Sequence, residues 1–187
     1  MTEHDDLFAA LQSLGATSAQ SIQEILRDGL LTGMLDVIEQ YPADYTSMEI
    51  QQAAAQYTQQ LTGDAQIVQG VGGIFGDSYV IGWQAQQRLF TQLASQPDVV
   101  IRGILAGMSE AITSYPTEQD PATLATLVET AMEPMPAELA PRDLPVTAEQ
   151  EAAYKEWYTQ VFIRGYQLQY AMVQQLLGQV PTANDAP

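Results

Sequence analysis

The fold class that this sequence predicts is all-α, with about seven helices, internally duplicated helical units and a long C-terminal helix. Three observations predict it. The stretch Gly29-Leu-Leu-Thr-Gly33-Met34-Leu-Asp36-Val-Ile38-Glu-Gln-Tyr41-Pro42 returns at a fixed offset as Gly103-Ile-Leu-Ala-Gly107-Met108-Ser-Glu110-Ala-Ile112-Thr-Ser-Tyr115-Pro116, and a fixed-offset copy is the mark of a repeated supersecondary unit. Apolar residues recur at three- and four-residue spacing, and no stretch sustains the alternation of β-branched residues that a strand needs. Most of the periodic stretches are preceded by a helix-start signal.

In chain order, a short leading helix is expected over Asp5–Leu14, closed by Gly15. Thr17 and Gln20 form a capping box for a helix whose inward stripe is Ile22, Ile25, Leu26, Gly29, Leu30, Gly33, Met34, Val37, Ile38 and Tyr41, stopped by Pro42. Thr46 with Glu49 opens the next helix, to about Gly63. Gly63, Gly70, Gly72, Gly73 and Gly76 then predict an irregular connection over 63–77. A helix resumes at Ser78 with Tyr79, Gly82, Trp83, Leu89, Phe90 and Leu93 on one side, and Pro97-Asp98 starts the second glycine helix. Asp120 as N-cap, with Pro121 at the first position, begins another helix to about Met132. Pro134, Pro136, Pro141 and Pro145 predict an extended linker, after which Thr147 and Gln150 open a long helix ending near Gly178. The expected organisation is a first helical half over 1–63, a second half repeating it over 64–132, a linker over 133–147, the long helix over 148–180 and a disordered tail over 181–187.

The 187 residues can bury a full core, and 46% of them are apolar. Twenty-three acidic residues against six basic ones give a formal net charge of −17, so nucleic acid and anionic membrane surfaces should repel the chain. Lysine occurs once, at Lys155, and glutamine is abundant. A saline or acidic habitat and a lineage of low lysine usage both account for that surface. With no cysteine there is no disulfide, thiolate chemistry or cysteine-bound zinc. The acidic start, Met1-Thr-Glu-His4-Asp5-Asp6, lacks a signal-peptide profile, and no apolar run spans a bilayer. A soluble protein is expected, with the cytoplasm favoured.

Two constellations stand out. Gly29/Gly33 and Gly103/Gly107 strip side chains from one helix face, so a second backbone can come close, within the subunit or between subunits. Tyr154, Trp157, Tyr158, Phe162, Tyr166 and Tyr170 line one face of the last helix, either as core or as the floor of a groove for an apolar ligand or partner helix. Gly70-Val-Gly72-Gly73-Ile-Phe75-Gly76 has the outline of a phosphate loop, but Phe75 takes the place of the third glycine and no Lys follows. Gly76-Asp77-Ser78 has the outline of an esterase nucleophile block, yet the single histidine is His4 at the terminus. His4, Asp5 and Asp6, adjacent positions at the terminus, are not expected to preorganise a metal site. No catalytic residue, cofactor or metal ligand is therefore assigned.

The run Asp77-Ser78-Tyr79-Val-Ile81-Gly82-Trp83-Gln84, continued by Ile101-Arg-Gly103 and Leu105-Ala106-Gly107-Met108-Ser-Glu110-Ala111-Ile112, resembles the N-terminal helical domain of FKBP-type prolyl isomerases of the macrophage infectivity potentiator class. Ile163-Arg-Gly165-Tyr166-Gln167 is similar to the opening element of that pattern. Gln86 and Gln169 stand where the family carries a second glycine, and the β-sheet isomerase domain has no counterpart. The resemblance implies a dimerisation or client-cradling helical module without isomerase activity. The expected function is thus a non-enzymatic protein-interaction module, self-associating or chaperone-like, in which Gly29, Gly33, Gly103, Gly107, Trp83 and the aromatic ridge hold a partner. The alternative is a small-ligand binder with an apolar cavity lined by Trp83, Trp157, Tyr166 and Tyr170.

Overall fold

The computed structural model describes residues 19–42, 45–61, 65–132, 135 and 146–178, and every regular element among them is an α-helix. The six helices are α1 (Ala19–Glu39), α2 (Ser47–Leu61), α3 (Ala65–Leu93), α4 (Asp98–Ser114), α5 (Pro121–Ala131) and α6 (Ala148–Gly178). The expected helix over 5–14, the capping residue Thr17, most of the proline linker and the tail lie outside the described residues.

Local chemistry accounts for the helix starts. At α2 the Glu49 carboxylate accepts from the Thr46 backbone N–H at 2.8 Å and from its hydroxyl at 2.7 Å, so one side chain satisfies a donor that the first helical turn leaves open. The Thr46 hydroxyl accepts in return from the Glu49 N–H. At α5 the Asp120 carboxylate accepts from the N–H groups of Ala122 and Thr123 at 2.9 and 3.0 Å, and Pro121 occupies a first-turn position that needs no donor. At α6, Thr147 and Gln150 close the same reciprocal box. α4 starts without a side-chain cap, with Pro97 in that place.

One element differs from expectation. Residues 65–77 are the first turns of α3 rather than an irregular connection. Helix propensity loses about 1 kcal/mol per glycine, but Gly72, Ile74 and Phe75 are buried on the inward face, and burial of Ile74 and Phe75 offsets that deficit at about 1.5–3 kcal/mol each. Gly73 and Gly76 do no packing work, since a Cβ added at either meets nothing within 4 Å. Gly73→Ala is accordingly expected to stabilise the protein by about 0.5–1 kcal/mol, seen as a higher urea midpoint at unchanged slope.

The described residues fall into two compact units, one running to Thr91 with Leu176–Gly178, the other spanning Gln92–Gln175. The division therefore falls near residue 91, and α3 belongs almost wholly with α1 and α2 rather than opening a second half at 64. In the first unit the core is Leu30, Met34 and Ile38 from α1, Ile50 and Ala54 from α2, and Phe75, Tyr79, Trp83 and Phe90 from α3. In the second it is Ile104, Met108 and Ile112 from α4, Leu124 and Val128 from α5, and Tyr158, Phe162, Tyr166 and Val173 from α6. The α1 and α2 residues stand 74 positions before their α4 and α5 counterparts, and the α3 residues 83 before those of α6.

Candidate functional site

The glycines come first because they decide which surfaces are free. A Cβ on Gly33 would fall on the Tyr79 carbonyl oxygen, and one on Gly82 on the Leu30 carbonyl oxygen, so α1 and α3 cross backbone to backbone. Gly107 meets the Phe162 carbonyl oxygen and Gly165 the Ile104 carbonyl oxygen, which repeats the crossing between α4 and α6. Gly29 lies against Ser78 and the Phe75 carbonyl, and Gly103 against the Val161 and Tyr158 side chains. The bare faces of Gly29, Gly33, Gly103 and Gly107 are thus filled by helices of their own unit. They are not presented to a second copy.

The aromatic ridge is divided between core and surface. Tyr154, Tyr158, Phe162, Tyr166 and Tyr170 are buried in one cluster with Ala111, Leu124 and Val128, and Trp157 packs against it half-buried. Trp83 is buried in the first unit beside Tyr79, its indole N–H without a hydrogen-bond acceptor among the described residues. Of the four residues expected to wall an apolar cavity, Trp83 belongs to the first unit and Trp157, Tyr166 and Tyr170 to the second.

Tyr166 and Tyr170 are buried, yet they lie directly behind an open groove. With Leu124 they back this groove of about 570 Å³, which is edged by Glu118, Gln119 and Asp120 on the α4–α5 loop, by Pro121 at the start of α5 and by Gln167, Ala171 and Gln174 on α6. The two rings stack at 5.8 Å between centroids and 9° between planes. Their polar ends are clamped: the Tyr166 hydroxyl accepts from the Gln119 backbone N–H at 2.7 Å, and the Tyr170 hydroxyl donates to the Pro116 carbonyl at 3.0 Å. Loop and rings are therefore held in fixed relation. The Asp120 carboxyl sits below the usual carboxylate range because it accepts from Thr123, backbone and hydroxyl, and from Ala122, so the groove edge keeps negative charge at neutral pH. Glu118 adds a second, exposed carboxylate.

No protein-family model matches the chain, and no curated protein or solved structure matches it either. The geometry of these residues therefore carries the functional reading. In each unit the glycine helix precedes the helix that crosses it, α1 before α3 and α4 before α6. Among the described residues no helix is long and apolar enough to cross a membrane, and no group of three or more potential metal ligands occurs.

Sequence reasoning missed a second cluster. Asp36 is buried on α1, where its carboxylate accepts from the hydroxyls of Tyr57 at 2.9 Å and of Tyr79 at 2.6 Å. Burial, and then the bond to Asp36, pushes both phenols above their ordinary range. The available signal was an acid inside the inward stripe, between Gly33 and Met34 on one side and Val37 and Ile38 on the other. The second unit has Glu110 at the equivalent place, partly buried and with its carboxyl raised by desolvation, and Phe162 at the place of Tyr79. The cluster is specific to the first unit.

Proposed function

We propose that this chain is a non-enzymatic helical interaction module, two copies of one three-helix design in a single polypeptide, which holds a positively charged segment of a protein partner. The observation that carries this reading is the groove of the second unit, edged by the exposed carboxylates of Glu118 and Asp120 and by side-chain amides and backed by the buried, hydrogen-bonded Tyr166 and Tyr170. The net charge of −17 supports the sign of the partner, since it accelerates encounter with cations and opposes close association of two copies. Among the described basic side chains, Arg27 is paired with Asp28 and Lys155 with Glu129. The glycine faces are consumed internally, so a different protein fits better than self-association.

Calorimetric titration of the full chain with a lysine-rich peptide and with its glutamate-substituted counterpart tests the reading. Binding is expected for the cationic peptide alone, weakening as salt is raised. Glu118→Lys should weaken it about tenfold, whereas Glu151→Lys, the same charge change at an exposed place on α6, should cost less than about twofold. Equal losses from the two variants would assign the attraction to the diffuse field and end the reading.

A further inference from the structure

The Asp36 cluster belongs to the first unit and has no part in the groove of the second. It is continuous with a row of rings: Tyr79 lies 6.1 Å from Trp83 and Trp83 lies 5.2 Å from Tyr45, centroid to centroid. Tyr79 and Trp83 are buried, whereas Tyr45 is half-buried and meets solvent. The Tyr79 hydroxyl donates to Asp36 Oδ2 at 2.6 Å, and the Tyr57 hydroxyl holds Oδ1 at 2.9 Å. The Trp83 indole N–H has no acceptor among the described residues. At the corresponding places the second unit carries Gln119 for Tyr45, Ala131 for Tyr57, Phe162 for Tyr79 and Tyr166 for Trp83. The three-helix design therefore forms without this row of rings and its carboxylate.

We propose that Trp83 and Tyr79 form a one-electron relay with Asp36 as its proton acceptor, which reduces a diffusible one-electron oxidant arriving at Tyr45. The net charge of −17 selects neutral or cationic oxidants over anionic ones. The oxidant takes one electron from Trp83 across its contact with Tyr45 and leaves an indole radical cation. Trp83 then takes an electron from Tyr79, whose hydroxyl proton moves along the existing hydrogen bond to Asp36 Oδ2. The products are a restored indole, a neutral Tyr79 phenoxyl radical and a neutral Asp36 carboxylic acid. One electron from an external donor, a thiolate or an ascorbate, returns the proton to the phenol oxygen and closes the cycle. Chemistry sets the direction. A neutral phenol keeps its proton against a carboxylate, whereas an oxidised phenol is a strong acid, so a base already within hydrogen-bond reach makes Tyr79 easier to oxidise. Trp83 has no such acceptor among the described residues and passes the loss on. The neighbouring rings leave no insulating gap in the path.

The test uses the full chain with Trp157→Phe, which leaves Trp83 as the one tryptophan. A laser flash on tris-bipyridine ruthenium with a sacrificial quencher generates the cationic ruthenium(III) oxidant, and transient absorption follows the indole and phenoxyl radicals by their separate bands. The indole radical is expected first and the phenoxyl radical in its place, with a conversion that is slower in D2O and independent of phosphate-buffer concentration. Asp36→Asn, which keeps the volume and removes the base, and Tyr79→Phe, which keeps the ring and removes the proton, should each slow the conversion about tenfold or more. Tyr166→Phe, a hydroxyl deletion in the second unit, should leave it unchanged. Trp83 emission checks that the first unit of each variant is folded at the temperature used. Conversion at the parent rate in Asp36→Asn and Tyr79→Phe overturns the proposal. So does a parent rate that rises with phosphate concentration, which would send the proton to solvent; that measurement leaves Asp36 and Tyr79 in place and holds even if a variant fails to fold.

Discussion

Alanine at Gly107 is expected to destabilise the second unit by about 3–5 kcal/mol, a large share of the stability of an ordinary domain. The cause is geometric. The added methyl would land on the Phe162 carbonyl oxygen and within 2.8 Å of the Tyr166 backbone nitrogen. Both obstacles are main-chain atoms of α6, which cannot rotate aside, so α4 and α6 must separate along the whole crossing. Ile104, Met108 and Phe162 would then lose the contacts that burial provides. Gly103→Ala is the control one turn away: its nearest obstacles are a Val161 methyl at 2.9 Å and a Tyr158 ring carbon at 3.4 Å, side-chain atoms that can shift, and its cost should be about 1 kcal/mol or less. Urea unfolding followed by circular dichroism gives the magnitudes. Peptide-resolved hydrogen exchange gives the place, since Gly107→Ala should deprotect segments of α4 and α6. A Gly107→Ala protein as stable as wild type would mean that the two backbones do not cross this closely.

The parts of this fold that could be read from the sequence are those set by neighbours along the chain. Thr46 with Glu49, Asp120 with Pro121, and Thr147 with Gln150 mark helix starts because each cap closes within three residues. The glycine pairs were visible as bare faces for the same reason. What covers those faces was not visible, because Gly33 meets Tyr79 and Gly107 meets Phe162, partners whose distance along the chain no periodicity encodes. Over 65–77 the local signal was misleading, since the density of glycine outweighs the burial of Ile74 and Phe75 until the facing helix is known. The groove joins Gln119 to Tyr166, 47 residues apart, and sequence reasoning identified only the residues that back it. Tyr166 and Tyr170 stood out as members of a ridge, whereas Glu118, Gln119 and Asp120 looked like a polar turn.

The second large effect is expected at Asp36. Tyr79→Phe removes the shorter of the two hydrogen bonds to a buried carboxylate while keeping the ring that packs near Phe75, Tyr57 and Trp83. Loss of a hydrogen bond to a charged, buried acceptor costs about 1.5–3 kcal/mol, and the carboxylate would be left with Tyr57 alone. Tyr57→Phe should cost less, because its 2.9 Å bond is longer and only part-buried. Asp36→Leu would strand both hydroxyls in place of one carboxylate, so Asp36→Leu combined with Tyr79→Phe should recover part of the loss of Asp36→Leu alone; simple additivity of the two losses would show that the groups are not coupled. The same pair sets an alkaline limit. In the unfolded chain both phenols ionise near pH 10, whereas in the folded first unit burial and the bond to Asp36 keep their protons on. Above pH 10 the unfolded state therefore binds fewer protons than the native one, and stability that is complete below that pH declines as it rises further. Trp83, 6.1 Å from Tyr79, reports the first unit when Trp157 is replaced by Phe. Its unfolding midpoint should fall above pH 10 in the parent protein and should fall less steeply in Tyr79→Phe, in which one of the two raised phenols is gone. Parallel pH profiles for the two proteins would show that the Tyr79 proton is not held by the fold.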